Sequence, residues 1–242
     1  MSMNDCNDEL VSVIIPTLNA EAYLAETIES VLNQNWESLE ILVVDDGSKD
    51  GSIAVASNFG SRVKILQGQH QGLAATRNRG MLGASGAYFL HLDSDDLLWP
   101  QSIPILMRNL GAEHDMVTGK FECFVSPELP RSVAERFVLS PGPQLGHLPG
   151  TSLVRAAAFR KFGGLDISFC GRADLEWWIR ARDQGASIAM VEDTVLRRRI
   201  HDNNLSLRHR ESQATSVLKT VQAVLQRRRA HLADYLSVEN SN

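Results

Sequence analysis

The order of apolar segments predicts an α/β fold, a mostly parallel sheet with flanking helices. Three observations carry that expectation. "VSVIIPTLN" (11–19) and "LEILVVDDGS" (39–48) are continuous apolar runs without alternation, as strands buried on both faces require. Between them, "AEAYLAETIESVLNQ" puts Tyr23 or Leu24, Ile28, Val31 and Leu32 on one helical face. Two acidic clusters, Asp45-Asp46 and Asp93-Asp95-Asp96, stand at the carboxyl ends of apolar runs, where open α/β sheets bind ligands.

In chain order, the first strand is stopped by Pro16 and the first helix leads to a strand ended by Asp45, Asp46 and Gly47. A helix over 53–59, a short strand over 63–67, a helix over 73–82 and a strand over 88–92 continue the alternation. Five prolines, Pro127, Pro130, Pro141, Pro143 and Pro149, predict a loop-rich interval over 126–150. "GRADLEWWIRARDQG" reads as a helix ending near Gly185, with Leu175, Trp178, Ile179 and Arg182 at helical spacing. "ASIAMVEDTVL" then leads into the basic extended segment "RRRIHDNNLSL". From Ser206 the chain turns helical, with Val217, Leu218, Val221, Val224, Leu225 and Leu232 near one face. The expected division is a catalytic domain over 1–204 and a helical extension over 205–242.

Composition narrows the function classes. With 43% hydrophobic and 22% charged residues over 242 positions, the chain has the make-up of a soluble globular protein. No stretch approaches the roughly 18 apolar residues of a membrane span, and the acidic start lacks a signal-peptide pattern, so a cytoplasmic location is expected. Cys6, Cys123 and Cys170 lie far apart without C-x-x-C spacing, which argues for free thiols. Residues 197–231 carry nine Lys/Arg against Asp202 and Glu211, a segment charge of +7 in a chain of net charge −5. No nucleic-acid partner is expected. The basic extension fits packing on the catalytic domain or a partner subunit, or a peripheral contact with anionic membrane, although it lacks Trp and Phe.

Three carboxylates in the four residues 93–96 repel one another unless a cation joins them. Carboxylates so spaced after a strand suit a hard divalent cation, Mn²⁺ or Mg²⁺, shared with substrate phosphates. An EF-hand is excluded, because Leu98 stands where its invariant glycine would be and Pro104 where its last glutamate would be. No G-x-x-x-x-G-K-[ST] occurs, so there is no P-loop. The expected cation site is therefore the D-x-D unit Asp93-Ser94-Asp95.

Three blocks taken together resemble the family 2 glycosyltransferases of the GT-A fold: "VSVIIPTLNAEAYLAETIESVLNQNWESLEILVVDDGSKDGS", "GLAATRNRGMLGASGAYFLHLDSDDLLWP" and "PGTSLVRAAAFRKFGGLDISFCGRADLEWWIRARDQG". The resemblance implies inverting, metal-dependent transfer of a sugar from a nucleotide-diphosphate sugar, a UDP-sugar being the expected donor, to a glycan, lipid-linked, peptide or small-molecule acceptor. It implies a nucleotide pocket of Pro16, Thr17, Leu18 and Asn19 with Asp46 accepting a hydrogen bond from the base; Leu18 stands where many relatives carry an aromatic. Ser94 and Arg77 belong to the nucleotide side by the same reading, with Asn78 and Arg77 alternatively fixing their loop. Asp93 faces the ribose or the metal by that reading, Asp95 coordinates the metal, and Arg199 and His201, two apart on an extended segment, share a face toward metal or diphosphate. Asp174 becomes the catalytic base, although Ala173 replaces the glutamate usual before it. Glu176 is the alternative base, otherwise a helix-surface carboxylate. Trp177 and Trp178 are either a sugar platform or buried packing. A sugar-phosphate nucleotidyltransferase, which would normally show a Gly-rich basic N-terminal loop, and a non-catalytic sugar-nucleotide-binding module are the competing readings.

Overall fold

The computed structural model describes residues 9–204, except 136, 138, 147, 148, 170, 171 and 203, together with Gln222. The expected helical extension over 205–242 thus lies outside the described residues, Gln222 apart.

The elements are β1 (Val11–Thr17), α1 (Leu24–Leu32), β2 (Leu39–Asp45), α2 (Ser52–Ser57), β3 (Lys64–Gln67), α3 (Leu73–Gly83), β4 (Tyr88–His91), β5 (Leu97–Leu98), α4 (Ser102–Leu110), β6 (Met116–Val125), α5 (Arg131–Ala134), β7 (Gln144–Leu145), β8 (Ser152–Arg155), α6 (Ala156–Phe162), α7 (Ala173–Asp183) and β9 (Ile188–Ile200). One sheet joins the strands in the order β3-β2-β1-β4-β8-β6-β9-β5, with β7 on β6. The N-terminal strands β3, β2, β1 and β4 are parallel, as the βα alternation requires. Beyond β4 the sheet is mixed: β8 runs antiparallel to β4 and β6, and β9 is parallel to β6.

The continuous apolar runs are indeed buried on both faces. Val11, Val13 and Ile15 join one core cluster, and Ile14 joins another on the far side with Leu42 and Val44. Each such side chain contributes roughly 1.5–3 kcal/mol of burial. On the second face α3 lies close against β1 because Gly80 has no side chain: a Cβ there would sit 2.4 Å from Ile14 Cγ2. That close approach carries the first turn of α3, and Arg77 with it, toward the carboxyl ends of the strands.

The buried face of α1 is Leu24, Thr27, Ile28 and Val31. In α7 the inward face is Ala173, Glu176, Trp177 and Ala181. Trp177 decides that rotation. Its ring stacks on Phe159 at 4.5 Å and its indole N–H donates to the Gly163 carbonyl at 2.6 Å.

The long β6–β9 pair has register shifts between Thr118 and Lys120 and between Lys120 and Phe121. β9 then returns to the strand ends, where β5 pairs with it antiparallel, Leu97 opposite Arg197. That register sets Asp95 and Asp96 beside Arg199 and His201.

Candidate active site

Four segments meet at one end of the sheet: the acidic turn after β4, the first turns of α3 and α7, and the end of β9. The turn is fixed from below by Thr27 of α1, whose hydroxyl lies 3.0 Å from the Ser94 carbonyl and 2.9 Å from that of Asp96. Thr27 carried no signal in the sequence, since its partners lie in a distant turn.

Each carboxylate of the turn has its own partner. Asp93 is bound by Arg77, whose other terminal nitrogen is bound to Asp174 on α7. Arg77 is 1% exposed, and its pKa is raised: burial opposes the charge, and the two carboxylates more than offset it. Asp95 meets His201 Nε2 at 2.9 Å and Asn204 Nδ2 at 3.1 Å. Asp96, buried, accepts the Arg199 backbone N–H at 2.9 Å. The expectation that the carboxylates simply repel until a metal arrives is corrected: the fold supplies Arg77, and hydrogen bonds supply the rest. The compensation is incomplete. Desolvation, with the charges of Asp95 and Asp174 added and Arg77 opposing, still pushes the Asp93 carboxyl above its ordinary range. Burial and the Asp95 and Asp93 charges push Asp96 well up.

Several candidate residues lie inward. Arg199 is 2% exposed. Its Nε donates to the Asp95 carbonyl at 2.9 Å, its other nitrogens go to Ser126 and Glu26, and its guanidinium stacks at 4.9 Å over Tyr23 and 4.8 Å over Phe124. Arg77 likewise joins two carboxylates. Glu176 is 0% exposed and ion-paired to Arg180 at 3.0 Å, so it is neither a surface carboxylate nor an accessible base. Arg180 in turn binds the carbonyls of Phe162, the last residue of α6, and of Gly164 beyond it. Trp177 is buried packing and not an open sugar platform, whereas Trp178 is half-buried.

On the nucleotide side, Pro16 and Thr17 are buried at the end of β1, and Leu18 is 42% exposed beyond them. Asn19 adopts φ 52° and its side chain accepts the Lys49 N–H at 2.8 Å, tying this turn to the one after β2. Asn78 is turned to Leu165, bonding its N–H and carbonyl at 2.9 and 2.8 Å. Asp46 accepts the backbone N–H groups of Gln71 and Gly72 at 2.9 and 3.0 Å and meets His70 Nδ1 at 2.8 Å. Burial opposes ionisation there, but these donors and Thr76 hold its carboxyl below the usual carboxylate range. The stability so contributed is full above the unfolded value of about 3.9 and is lost as pH falls through the lower folded value. Asp46→Ala should therefore flatten the fall of melting temperature between about pH 5 and pH 3 and release the 70–72 loop. A melting curve as steep in acid as that of the wild type would detach Asp46 from that loop.

Among the described residues no three His, Cys, Asp or Glu side chains converge in metal-binding geometry. The donor set of Asp95 and His201 does fit a divalent cation, one carboxylate and one imidazole leaving further positions for phosphate oxygens. No helix among the described residues is long and apolar enough to cross a membrane.

A mixed, curled sheet with helices on both faces and a carboxylate-rich crevice at its strand ends is the architecture of the GT-A glycosyltransferases. Residues 12–173 match the model of the glycosyl transferase family 2, and the chain belongs to that family. It is 30% identical over 207 residues to an uncharacterised glycosyltransferase of Rickettsia typhi, covering 80% of this chain and 64% of the relative. To the glycosyltransferase GlyG of Streptococcus pneumoniae it is 36% identical over 118 residues, 47% of this chain and 39% of that protein. The chain thus spans less than two thirds of these relatives. Among solved structures, S. aureus TarS 1-349 in complex with UDP-GlcNAc superposes with a TM-score of 0.67 at 20% identity, covering 81% of this chain and 60% of that one. The mannosyltransferase PcManGT from Pyrobaculum calidifontis, in complex with GDP-Man and Mn²⁺, gives 0.70 at 16%, covering 90% and 64%. These likenesses show the fold.

Proposed function

We propose that the chain transfers a sugar from a nucleotide-diphosphate sugar to an acceptor nucleophile with inversion, assisted by a divalent cation, and that Asp174 is the base. The observation that carries this reading is the Asp93–Arg77–Asp174 bridge beside the Asp95–His201 pair. It joins a candidate base to a candidate cation site although Arg77 and Asp174 are 97 positions apart in sequence. TarS and PcManGT, bound to UDP-GlcNAc and GDP-Man, support a nucleotide-sugar donor, and a UDP-sugar is the donor proposed here.

Asp95 and His201 would hold Mn²⁺ or Mg²⁺, which when bound neutralises charge on the diphosphate. The other work falls to side chains of this chain. Asp174, partly exposed at the first turn of α7, takes the proton of an acceptor hydroxyl or thiol. A bond forms between the acceptor atom and the anomeric carbon as the bond to the diphosphate oxygen breaks, its electron pair leaving with the nucleotide. Arg77 pairs with Asp174 and aims it, and Arg199 holds the acidic turn in register from behind. Asp46 with the 16–19 turn forms the base pocket, Asp46 pinning the 70–72 loop through the Gln71 and Gly72 N–H groups.

Asp95→Ala is expected to abolish turnover and weaken UDP binding in Mn²⁺ without unfolding the chain, because the lost group is partly exposed. Calorimetry in Mn²⁺ and in EDTA tests it, alongside hydrolysis of several nucleotide sugars by the wild type. Unchanged UDP affinity and unchanged metal dependence in the variant would remove Asp95 from the site.

A further inference from the structure

Tyr23 immediately precedes α1 and has no part in the chemistry above. Its ring nevertheless touches two residues of the site. The His201 imidazole lies against it, with ring centroids 4.5 Å apart and planes tilted by 43°, and the Arg199 guanidinium lies 4.9 Å from its centre. Arg199 and His201 are two apart in the chain, so one side of that extended segment rests on a single aromatic ring.

The backbone of Tyr23 is fixed independently of this contact. Its N–H donates to the Ala20 carbonyl at 3.0 Å, and its carbonyl accepts the Thr27 N–H at 3.1 Å. Thr27 is the residue whose hydroxyl holds the acidic turn, and Leu24 beside Tyr23 is fully buried. One turn of chain therefore supports both the loop of Asp95 and the ring of His201. That imidazole is also oriented by its own hydrogen bond, Nε2 meeting Asp95 at 2.9 Å. A cation held by the two side chains would replace that bond, because it occupies the same nitrogen and the same carboxylate. The Tyr23 contact is ring on ring and does not compete for the nitrogen. Outer contacts that fix a ligating imidazole are worth roughly 10 to 100-fold in metal affinity.

We infer that Tyr23 is a positioning residue for the cation site, its ring holding the His201 imidazole toward Asp95. This rests on the cation part of the reading above and deepens it. A competing route runs through Arg199, which stacks on the same ring and donates to the Asp95 carbonyl. That route acts on Asp95 and not on His201, so a double-variant cycle separates the two.

The full chain in saturating UDP is titrated calorimetrically with Mn²⁺, against a blank of UDP without protein. Wild type is compared with Tyr23→Phe, Tyr23→Leu, His201→Ala and the double variant Tyr23→Leu/His201→Ala. Tyr23→Leu should weaken Mn²⁺ binding by roughly 10 to 100-fold, and Tyr23→Phe, which keeps the ring, by less than about threefold. In the His201→Ala background Tyr23→Leu should add less than about twofold, the mark of two residues acting as one unit. In the wild type, nuclear Overhauser contacts between the Tyr23 and His201 ring protons should persist when Mg²⁺ and UDP are added. Their loss overturns the inference, even where Tyr23→Leu fails to fold. Unchanged Mn²⁺ affinity in Tyr23→Leu, with His201→Ala impaired, overturns it and leaves the cation site standing. A loss in Tyr23→Phe equal to that in Tyr23→Leu assigns the effect to the hydroxyl, and a loss that persists in full without His201 assigns it to Arg199; either overturns the inference. Unchanged affinity in His201→Ala, or no Mn²⁺ binding by the wild type, overturns the cation reading and this inference with it.

Discussion

Asp174→Asn is expected to lower sugar transfer by roughly 10² to 10⁴-fold while donor affinity persists, the scale for losing a positioned base. Asparagine keeps the size of the side chain and leaves an amide oxygen for Arg77, so the bridge to Asp93 survives in weakened form. What disappears is the basicity needed when the acceptor atom gives up its proton. Glu176→Gln makes the contrast. Glu176 is sealed in the core against Arg180, which also binds the carbonyls that end α6, so that change should lower the melting temperature and leave kcat within a few-fold of wild type. The measurements are donor Kd, kcat with an identified acceptor, and thermal unfolding for both variants. An active Asp174→Asn beside a folded but dead Glu176→Gln would exchange the two assignments.

The contrast between these two acids also shows what the sequence could and could not disclose. The strands β1 and β2 were readable because a run such as "VSVII" has one physical solution, burial on both faces, and the Asp residues after it then fall at strand ends. The acidic turn was readable for the same reason. The rotation of α7 was not. Pattern reading sends a glutamate and an arginine four residues apart to the surface, whereas here they neutralise one another inside and Trp177 fixes the face. Arg199 misled in the opposite sense: a basic residue near acidic ones suggests a ligand contact, yet Glu26, Ser126 and two aromatic rings absorb it. Arg77 could have been found by charge alone. Three carboxylates in four residues require cationic compensation, and the helix before β4 points an arginine at the same crevice; its second partner, Asp174, has no local signature. Thr27, Glu26 and Asn204 act on that turn from far along the chain and give no sequence signal at all.

Arg77→Met should destabilise the chain by about 3 kcal/mol at pH 7.5, the low end of what removing one partner of a buried ionic network costs, because Asp93 and Asp174 keep some solvent access. The sign of its pH dependence separates a charge bridge from simple packing. Without the guanidinium the Asp93 carboxyl, already raised by burial, loses its opposing positive charge and is raised further. A carboxyl raised on folding favours the folded state only when protonated, so the penalty should be largest above the raised value and shrink as pH falls through it. Urea unfolding at pH 7.5 and pH 5 measures this directly, and an equal loss at both would mean that Arg77 acts through its bulk. Arg77→Lys should recover part of the stability but little of the turnover. An ammonium restores charge yet cannot span two carboxylates with the planar fork that sets Asp174 against the acidic turn. Transfer should stay reduced by on the order of 10² with nucleotide affinity changed much less, since misplacing a base by an ångström is felt mainly in the transition state.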